Sequence, residues 1–307
     1  MPLISVIVPL YNAARTLSAT VRSIQAQGWR NWEAILVDDG STDGSIAIAR
    51  ALAADDPRLH VARNPGKGPS AARNHGALTL ARGDILCFLD ADDLWTPEKL
   101  AEVAQSLLGG EADAVYGRVG FFNEDPACIT SRSTVPAGPL TIPMLLAENP
   151  VCTLSNLSLR RAAFVAAGGF RADMIHNEDL DFLVTLAGQG ARVTGIARDH
   201  VLYRQSAGGL SSDLDAMRQS RTEVVATARR YGHDSAPRAE ARYIRYLTRR
   251  AIRLGHDCAT VRTLVTQGLK ADAAAFLTPP RRGFATAIGG LAYPALPRAL
   301  RRFLFSR

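Results

Sequence analysis

The first 108 residues alternate between two kinds of segment, and this alternation constrains the fold more than any other feature of the sequence. Apolar, often β-branched runs that are typical of buried strands are each followed by a segment with apolar residues at helical spacing. The strand-like runs are 4–9, 32–37, 59–62 and 85–89, and the helix-like segments are 15–27, 46–54, 70–81 and 97–108. The pattern predicts right-handed β-α-β units and an α/β fold with a mostly parallel sheet.

Acidic residues directly follow two of these runs. Asp38 and Asp39 end the second run, and Asp90, Asp92 and Asp93 end the fourth. Because ligands of open α/β sheets bind outside the carboxyl ends of the strands, both clusters are predicted to meet at one edge of the sheet. For the fourth run alone, a helix N-cap explains the acids equally well, and we expect Asp93 to cap the following helix.

The charge is unevenly distributed along the chain. The whole chain carries a net charge of +7, but residues 213–307 contain 18 Lys and Arg against 7 Asp and Glu, a net +11, which leaves −4 for residues 1–212. From residue 213, where the net charge becomes positive, the sequence has helical patterns at 213–231, 236–254 and 258–275. We therefore predict a catalytic domain over 1–212 and a basic helical region over 213–307.

The sequence also suggests a compartment. Its four cysteines are scattered without a C-x-x-C pair, which favours a reducing environment and argues against a zinc site. We see no signal peptide at the N-terminus and no apolar run long enough to span a bilayer. The expected location is the cytoplasm. Basic residues beside Phe and Leu at 298–305 suggest peripheral contact with the inner face of the membrane, with ordinary packing as the alternative.

Several motifs, in order along the first 210 residues, resemble those of family 2 glycosyltransferases with the GT-A fold. They are Ser5–Asn12, Val37–Asp43, Ala72–Gly76, Leu89–Asp93, Gly168–Phe170 and Asn177–Asp181. Each motif alone is weak, but their shared order and spacing are specific. The resemblance implies a GT-A domain that uses a nucleotide-sugar, followed here by a C-terminal helical extension.

The resemblance also implies roles for individual residues. Pro9, Tyr11 and Asp39 would hold the base and ribose, Arg73 and Asp90 would help to place the nucleotide-sugar, and Asp92 would bind Mg²⁺ or Mn²⁺ as part of a DXD motif. Arg204 and the loop after it would cover the diphosphate. Asp179 would be the general base of an inverting transfer. Relatives often carry a histidine where this chain has Ser206, so the metal is expected to rest on Asp92, diphosphate and water.

The chemistry of these side chains agrees with such roles. A carboxylate at position 39 can accept a hydrogen bond from a base, a tyrosine ring can stack, and a guanidinium suits a phosphate. For Arg73, an ion pair with a nearby acid is the alternative. Lys67 could meet a phosphate or could simply be a solvated loop charge.

We interpret the chain as a metal-dependent inverting glycosyltransferase, with a UDP-sugar as the expected donor and a lipid-linked glycan in polysaccharide synthesis as a candidate acceptor. A nucleotidyltransferase is the second interpretation, although the loop after the first strand is neither Gly-rich nor strongly basic. A non-catalytic nucleotide-sugar-binding module is the third. A nucleic-acid binder would rest on the basic tail alone, without a recognisable motif.

Overall fold

The structure is a computed structural model that describes residues 1–205 and 213–295. These residues form two compact units, one of 1–140 with 150–205 and the other of 141–149 with 213–295. The segment 141–149, which the sequence interpretation placed in the catalytic domain, thus packs with the C-terminal helices. The residues 206–212 and 296–307, which include Ser206 and the basic segment 298–305, lie outside the described ranges.

The first unit is built on a mixed sheet. Its strands are β1 (Ile4–Leu10), β2 (Trp32–Asp38), β3 (Leu59–Arg63), β4 (Ile85–Phe88), β5 (Leu94–Trp95), β6 (Ala114–Phe122), β7 (Ser131–Arg132), β8 (Ser158–Arg160) and β9 (Val193–Arg204). Their order is β3-β2-β1-β4-β8-β6-β9-β5, and β7 pairs with β6 outside this order. The strands β3, β2, β1 and β4 pair in parallel, as the alternating pattern predicts. Strand β8 is antiparallel to both of its neighbours, and β6 and β9 are parallel to each other.

Helices flank this sheet. They are α1 (Leu17–Gln25), α2 (Ser45–Asp55), α3 (Pro69–Asn74), α4 (Lys99–Leu108), α6 (Arg161–Ala166) and α7 (Glu178–Gly188). In α1 the apolar face of Leu17, Val21 and Ile24 is fully buried against the sheet, since these residues join β1, β2 and β4 in one hydrophobic cluster. Removal of this surface from water is the main stabilising contribution to such a layer.

Two elements differ from their predicted form. The predicted helix over 70–81 is α3 followed by a π-helical turn at His75–Leu80. Gly76 in that turn lies against β1, where a Cβ atom would come within 2.6 Å of Ile7 Cγ2. The sequence pattern predicts two separate strands over 192–196 and 200–204, but the structure has one continuous strand, β9, which follows β6 through a register shift near Arg118.

The second unit is helical. It contains α5 (Ile142–Ala147), α8 (Leu214–Arg230), α9 (Pro237–Leu254), α10 (Cys258–Leu277) and α11 (Pro280–Ala292). Its core is formed by α9 and α10, with Leu247, Val261 and Val265 almost fully buried. Among the described residues, no helix has both the length and the apolar character that crossing a membrane requires.

Candidate active site

The loops after β1 and β2 are joined by reciprocal hydrogen bonds. The Asn12 amide oxygen accepts from the backbone N–H of Thr42 (2.8 Å), and the Asn12 N–H donates to the Ser41 hydroxyl (3.1 Å). Asn12 has a positive φ of 49°, which an asparagine tolerates better than most residues. At the base of the second loop, the buried Asp38 carboxylate accepts from the backbone N–H groups of Gly40 and Ser41. The carboxyl ends of these two strands therefore hold a fixed pair of loops.

Asp39 anchors a third loop at this edge. Its carboxylate accepts from the Asn64 amide (2.7 Å) and from the Gly68 N–H (2.9 Å). This contact draws the loop inward and brings Lys67 Nζ within 5.4 Å of the Tyr11 ring centroid. Tyr11 is 56% exposed, so one face of the site carries an open aromatic ring beside a cation and a carboxylate. A carboxylate can accept about four hydrogen bonds, which leaves Asp39 capacity for a ligand.

The acidic loop after β4 is held by Ser155. Its hydroxyl accepts from the Asp90 N–H (3.0 Å) and donates to the Asp93 carboxylate (2.6 Å), which also accepts from the Arg204 N–H (3.1 Å). Asp93 is only 1% exposed, and burial together with the charges of Asp92 and Asp90 raises its pKa well above the ordinary value. The prediction that Asp93 caps the next helix is wrong, because α4 begins at Lys99. Asp93 instead stabilises its own loop through the hydrogen bonds that it accepts from Ser155 and Arg204.

Asp92 and Arg204 lie side by side in this loop region. Burial and the neighbouring charge of Asp90 raise the pKa of Asp92 to about 6, while the Arg204 guanidinium opposes the shift. Arg204 donates through Nε to the Asp92 carbonyl (3.2 Å) and lies over the Phe122 ring. Asp92 therefore has a negative neighbour and only a partial counter-charge, and a bound cation would relieve the repulsion.

Arg73 joins the acidic loop to the start of α7. It projects from α3, is 5% exposed, and places Nη2 2.5 Å from Asp90 and Nη1 3.5 Å from Glu178. Burial lowers the pKa of Arg73, but the charges of Asp90 and Glu178 outweigh burial and raise it. The geometry favours the ion-pair alternative for Arg73, and a contact with the nucleotide stays a prediction.

Glu178 and Asp179 form the first turn of α7, which begins after Asn177 at a positive φ of 59°. Burial and the charge of Asp179 raise the pKa of Glu178 to about 7, although Arg73 opposes this. Burial also raises the pKa of Asp179, whose Oδ1 accepts from the Leu180 N–H (2.8 Å). A carboxylate with a raised pKa in a fixed orientation is suited to taking a proton from a substrate.

The turn at Gly168–Phe170 supports this end of the site. Phe170 exchanges two hydrogen bonds with the Asn74 side chain, one through its carbonyl (2.7 Å) and one through its N–H (2.9 Å). Gly169 has a φ of 74°, and a Cβ atom there would lie 2.7 Å from the Asn74 amide oxygen. Rings of Phe88, Phe164 and Phe182 pack around Phe170 beneath α7. This packing fixes α7 relative to α3.

The donor set fits a hard divalent cation. Within residues 1–205 and 213–295, no group of three or more His, Cys, Asp and Glu side chains is arranged around a common metal position. Asp92 nevertheless lies close enough to Asp90 for the charge of Asp90 to raise its pKa. Mg²⁺ and Mn²⁺ are commonly held by one or two carboxylates, with the rest of the shell from phosphates and water. The residues present are therefore compatible with a metal that arrives with a diphosphate.

The structure thus gathers most of the predicted site residues at one edge of the sheet. Tyr11 and Asp39 lie on the neighbouring loops after β1 and β2. A second group, connected by hydrogen bonds and charge interactions, consists of Asp90, Asp92, Arg73, Asp179 and Arg204. Pro9 is half-buried within β1, one residue before the strand ends. The sequence interpretation missed Ser155, Asn64 and the ion pair of Glu178, since their partners are 25 to 105 positions away along the chain.

Comparison with known proteins assigns the family. The sequence profile of "Glycosyl transferase family 2" matches residues 5–167, which is more than half of the chain. The chain belongs to this family. The matched residues include Asp39, Arg73 and Asp92, whereas Asp179 and Arg204 lie beyond the match.

Three relatives show how far the similarity extends. An uncharacterized glycosyltransferase of Haemophilus influenzae is 41% identical over 122 residues, 39% of this chain and 48% of the relative. EpsE of Bacillus subtilis is 29% identical over 221 residues, 71% of this chain and 76% of EpsE. The Escherichia coli UDP-Glc:alpha-D-GlcNAc-diphosphoundecaprenol beta-1,3-glucosyltransferase WfgD is 36% identical over 124 residues, 40% and 48%. The chain thus aligns with about half the length of two of these relatives.

Solved structures confirm the predicted fold class. The mannosyltransferase PcManGT from Pyrobaculum calidifontis, in complex with GDP-Man and Mn²⁺, covers 99% of this chain and 84% of its own with a TM-score of 0.63 and 22% identity. TarS 1-349 of S. aureus, in complex with UDP-GlcNAc, covers 98% and 83% with a TM-score of 0.58 and 16% identity. This family 2 chain therefore has the GT-A fold with additional C-terminal helices.

Proposed function

We propose that this chain is an inverting, metal-dependent glycosyltransferase that takes its sugar from a nucleotide-sugar. The observation that carries the proposal is the excess of acid at one sheet edge. Asp90, Glu178 and Asp179 lie around the buried Arg73 guanidinium, and Asp92 lies beside Asp90. The pKa values of Asp92, Glu178 and Asp179 are raised. The excess negative charge of such a cluster is reduced when a metal cation binds near Asp92 and when a carboxylate of the α7 turn accepts a proton.

The nucleotide would bind on the Tyr11 side of the site. The exposed Tyr11 ring offers a stacking surface, and Asp39 offers a carboxylate for an N–H of the base. Lys67 lies near enough to Tyr11 to contact a phosphate of the same ligand. The name of the relative WfgD and the UDP-GlcNAc bound to TarS support a UDP-sugar as the donor.

Asp92 would hold the metal, with Asp90 close to the ribose or the sugar. When bound, Mg²⁺ or Mn²⁺ would carry part of the charge of the leaving diphosphate, so that no side chain has to protonate it. The Mn²⁺ and GDP-Man in the PcManGT structure support a divalent metal at a site of this fold. Arg204, which already contacts the Asp92 carbonyl, would add a second positive charge beside the diphosphate.

Asp179 would be the general base. An acceptor hydroxyl gives its proton to the Asp179 carboxylate as its oxygen forms a bond to the anomeric carbon, and the bond from that carbon to the diphosphate breaks. A single displacement of this kind inverts the anomeric configuration. The raised pKa of Asp179 brings it nearer to neutrality, where a base transfers protons efficiently, and the Leu180 N–H fixes its orientation.

The acceptor we propose is a sugar on a lipid diphosphate carrier, in the synthesis of a surface polysaccharide. The name of WfgD, which acts on a diphosphoundecaprenol-linked sugar, supports this choice. A nucleotidyltransferase fits less well, because the β1 loop offers Tyr11 and Asn12 rather than a run of glycines and cations.

A thermal-shift panel tests the proposed donor. We expect one nucleotide-sugar class, UDP-sugars, to raise the melting temperature only when Mg²⁺ or Mn²⁺ is present. A ligand at a hundred times its dissociation constant stabilises the folded state by about 2.7 kcal/mol, so the panel ranks donors directly. If nucleoside triphosphates raised the melting temperature and no nucleotide-sugar did, the result would support a nucleotidyltransferase instead.

A further inference from the structure

Helix α11 exposes its large apolar residues and buries its small ones, which is the reverse of an ordinary surface helix. Phe284, Ile288 and Leu291 are 51%, 63% and 54% exposed, and their spacing of four and three residues places them on one stripe. They account for three of the nine exposed large hydrophobic side chains among the described residues. A helix that packs only onto its own domain turns such side chains inward.

The buried face of α11 consists of small residues. They are Gly283, Thr286, Ala287, Gly289 and Gly290. The packing is close: a Cβ atom at Gly290 would lie 2.5 Å from Val265 Cγ2 on α10, and one at Gly283 would lie 2.2 Å from the Leu277 carbonyl oxygen. The helix therefore cannot rotate to bury Phe284 and Ile288 without separating from α10. The outward stripe is a fixed feature of the unit.

A dense group of arginines lies at the start of α11. Arg282 pairs with Glu148 (3.3 Å), which also faces Arg245 (3.6 Å). Burial and the charges of Arg282, Arg253 and Arg245 lower the pKa of Arg249 to about 10, so these arginines repel one another and Glu148 compensates only in part. At the first turn of α11, Arg281 is exposed beside the apolar stripe. An exposed apolar stripe next to excess positive charge is complementary to an anionic lipid surface.

We propose that the α11 stripe of Phe284, Ile288 and Leu291 docks into the interface of a bilayer that contains anionic lipid. The aromatic and aliphatic side chains would enter the boundary between headgroups and acyl chains. The arginines around Arg249 and Arg281 would lie at the level of the phosphates. This surface would hold the catalytic unit at a membrane independently of which donor or acceptor the enzyme uses.

Vesicle flotation of the full chain tests the proposal without any donor or acceptor. Wild type should float with vesicles of phosphatidylcholine and phosphatidylglycerol, less at high salt, and weakly with phosphatidylcholine alone. The variant Ile288→Ser/Leu291→Ser should bind at least about tenfold more weakly, because two interfacial apolar side chains are lost. Arg281→Gln should lower binding to the anionic vesicles by about fivefold.

The matched control is Leu108→Ser/Val165→Ser, which changes two equally exposed apolar residues in the first unit. It should float as wild type does, and thermal melts should show that both double variants fold. Undiminished flotation of Ile288→Ser/Leu291→Ser would overturn the proposal, as would flotation lost only in Phe303→Ser/Phe305→Ser. A dimer in solution that Ile288→Ser/Leu291→Ser dissociates, without vesicle binding by wild type, would assign the stripe to a second copy and overturn the proposal.

Discussion

Asp179→Asn should bind the donor normally and lose transfer by a factor of about 10²–10⁴, the usual contribution of a positioned general base. Asparagine keeps the shape and can still accept from the Leu180 N–H, so the start of α7 should be undisturbed. It cannot take the proton of the acceptor hydroxyl. The measurement pairs a calorimetric titration with UDP and Mn²⁺ with a transfer assay on the donor that the thermal-shift panel selects.

Asp173→Asn is the matched control for this variant. Asp173 lies in the segment just before α7, but it is exposed and paired with Arg171. The control should retain both binding and transfer. Near-normal transfer by Asp179→Asn would remove Asp179 as the base, and the adjacent Glu178, whose pKa is also raised, would become the candidate to test.

Arg73→Gln should be the most destabilising single change in the site. Removing one partner from a buried ion pair typically costs about 3–5 kcal/mol of the free energy of unfolding, because the remaining charges stay buried. Here Asp90 and Glu178 would lose their shared cation. Urea unfolding at pH 8 measures the cost, and donor titration should show weakened binding as well.

The cost of Arg73→Gln should shrink as the pH falls. Glu178 has a folded pKa of about 7, above the ordinary value of 4.5, so the folded state holds a proton that the unfolded state releases between these pH values. The free energy of unfolding therefore falls as pH rises through this window, and more so when Arg73 no longer opposes the shift.

Arg73→Lys is the comparison that separates charge from geometry in this ion pair. It should retain part of the stability, since it keeps the charge but loses the planar fork that reaches both Asp90 and Glu178. Equal stability of wild type and Arg73→Gln at pH 8 would show that the ion pair contributes little.

The alternation of elements was predictable because it depends on local patterns. The parallel half of the sheet and the acidic strand ends follow directly from apolar runs that stop at carboxylates, as at Val37–Asp39 and Leu89–Asp90. The same local rule failed for Asp93. A carboxylate before a helix looks like a cap, but its partners Ser155 and Arg204 are supplied by distant parts of the chain.

The remaining errors have the same physical origin. Strand β9 was predicted as two strands because Arg198 and Asp199 interrupt the apolar pattern, although pairing with β6 carries the backbone across them. The insertion of β8 between β4 and β6 depends on long-range pairing, which no local pattern encodes. The outward stripe of α11 was likewise hidden, because its periodicity looks like that of any amphipathic helix until the packing of Gly290 against Val265 shows which face is buried.

The most direct test of the proposed site is a calorimetric titration of UDP into wild type and Asp92→Asn, each with Mn²⁺ and with EDTA. If Asp92 holds the metal on the diphosphate, wild type should bind UDP at least about tenfold more tightly with Mn²⁺ than with EDTA, a difference of about 1.4 kcal/mol. Asp92→Asn should lose that difference while keeping the weak affinity seen in EDTA. Equal affinity of wild type in Mn²⁺ and EDTA, or an undiminished Mn²⁺ effect in Asp92→Asn, would contradict the account.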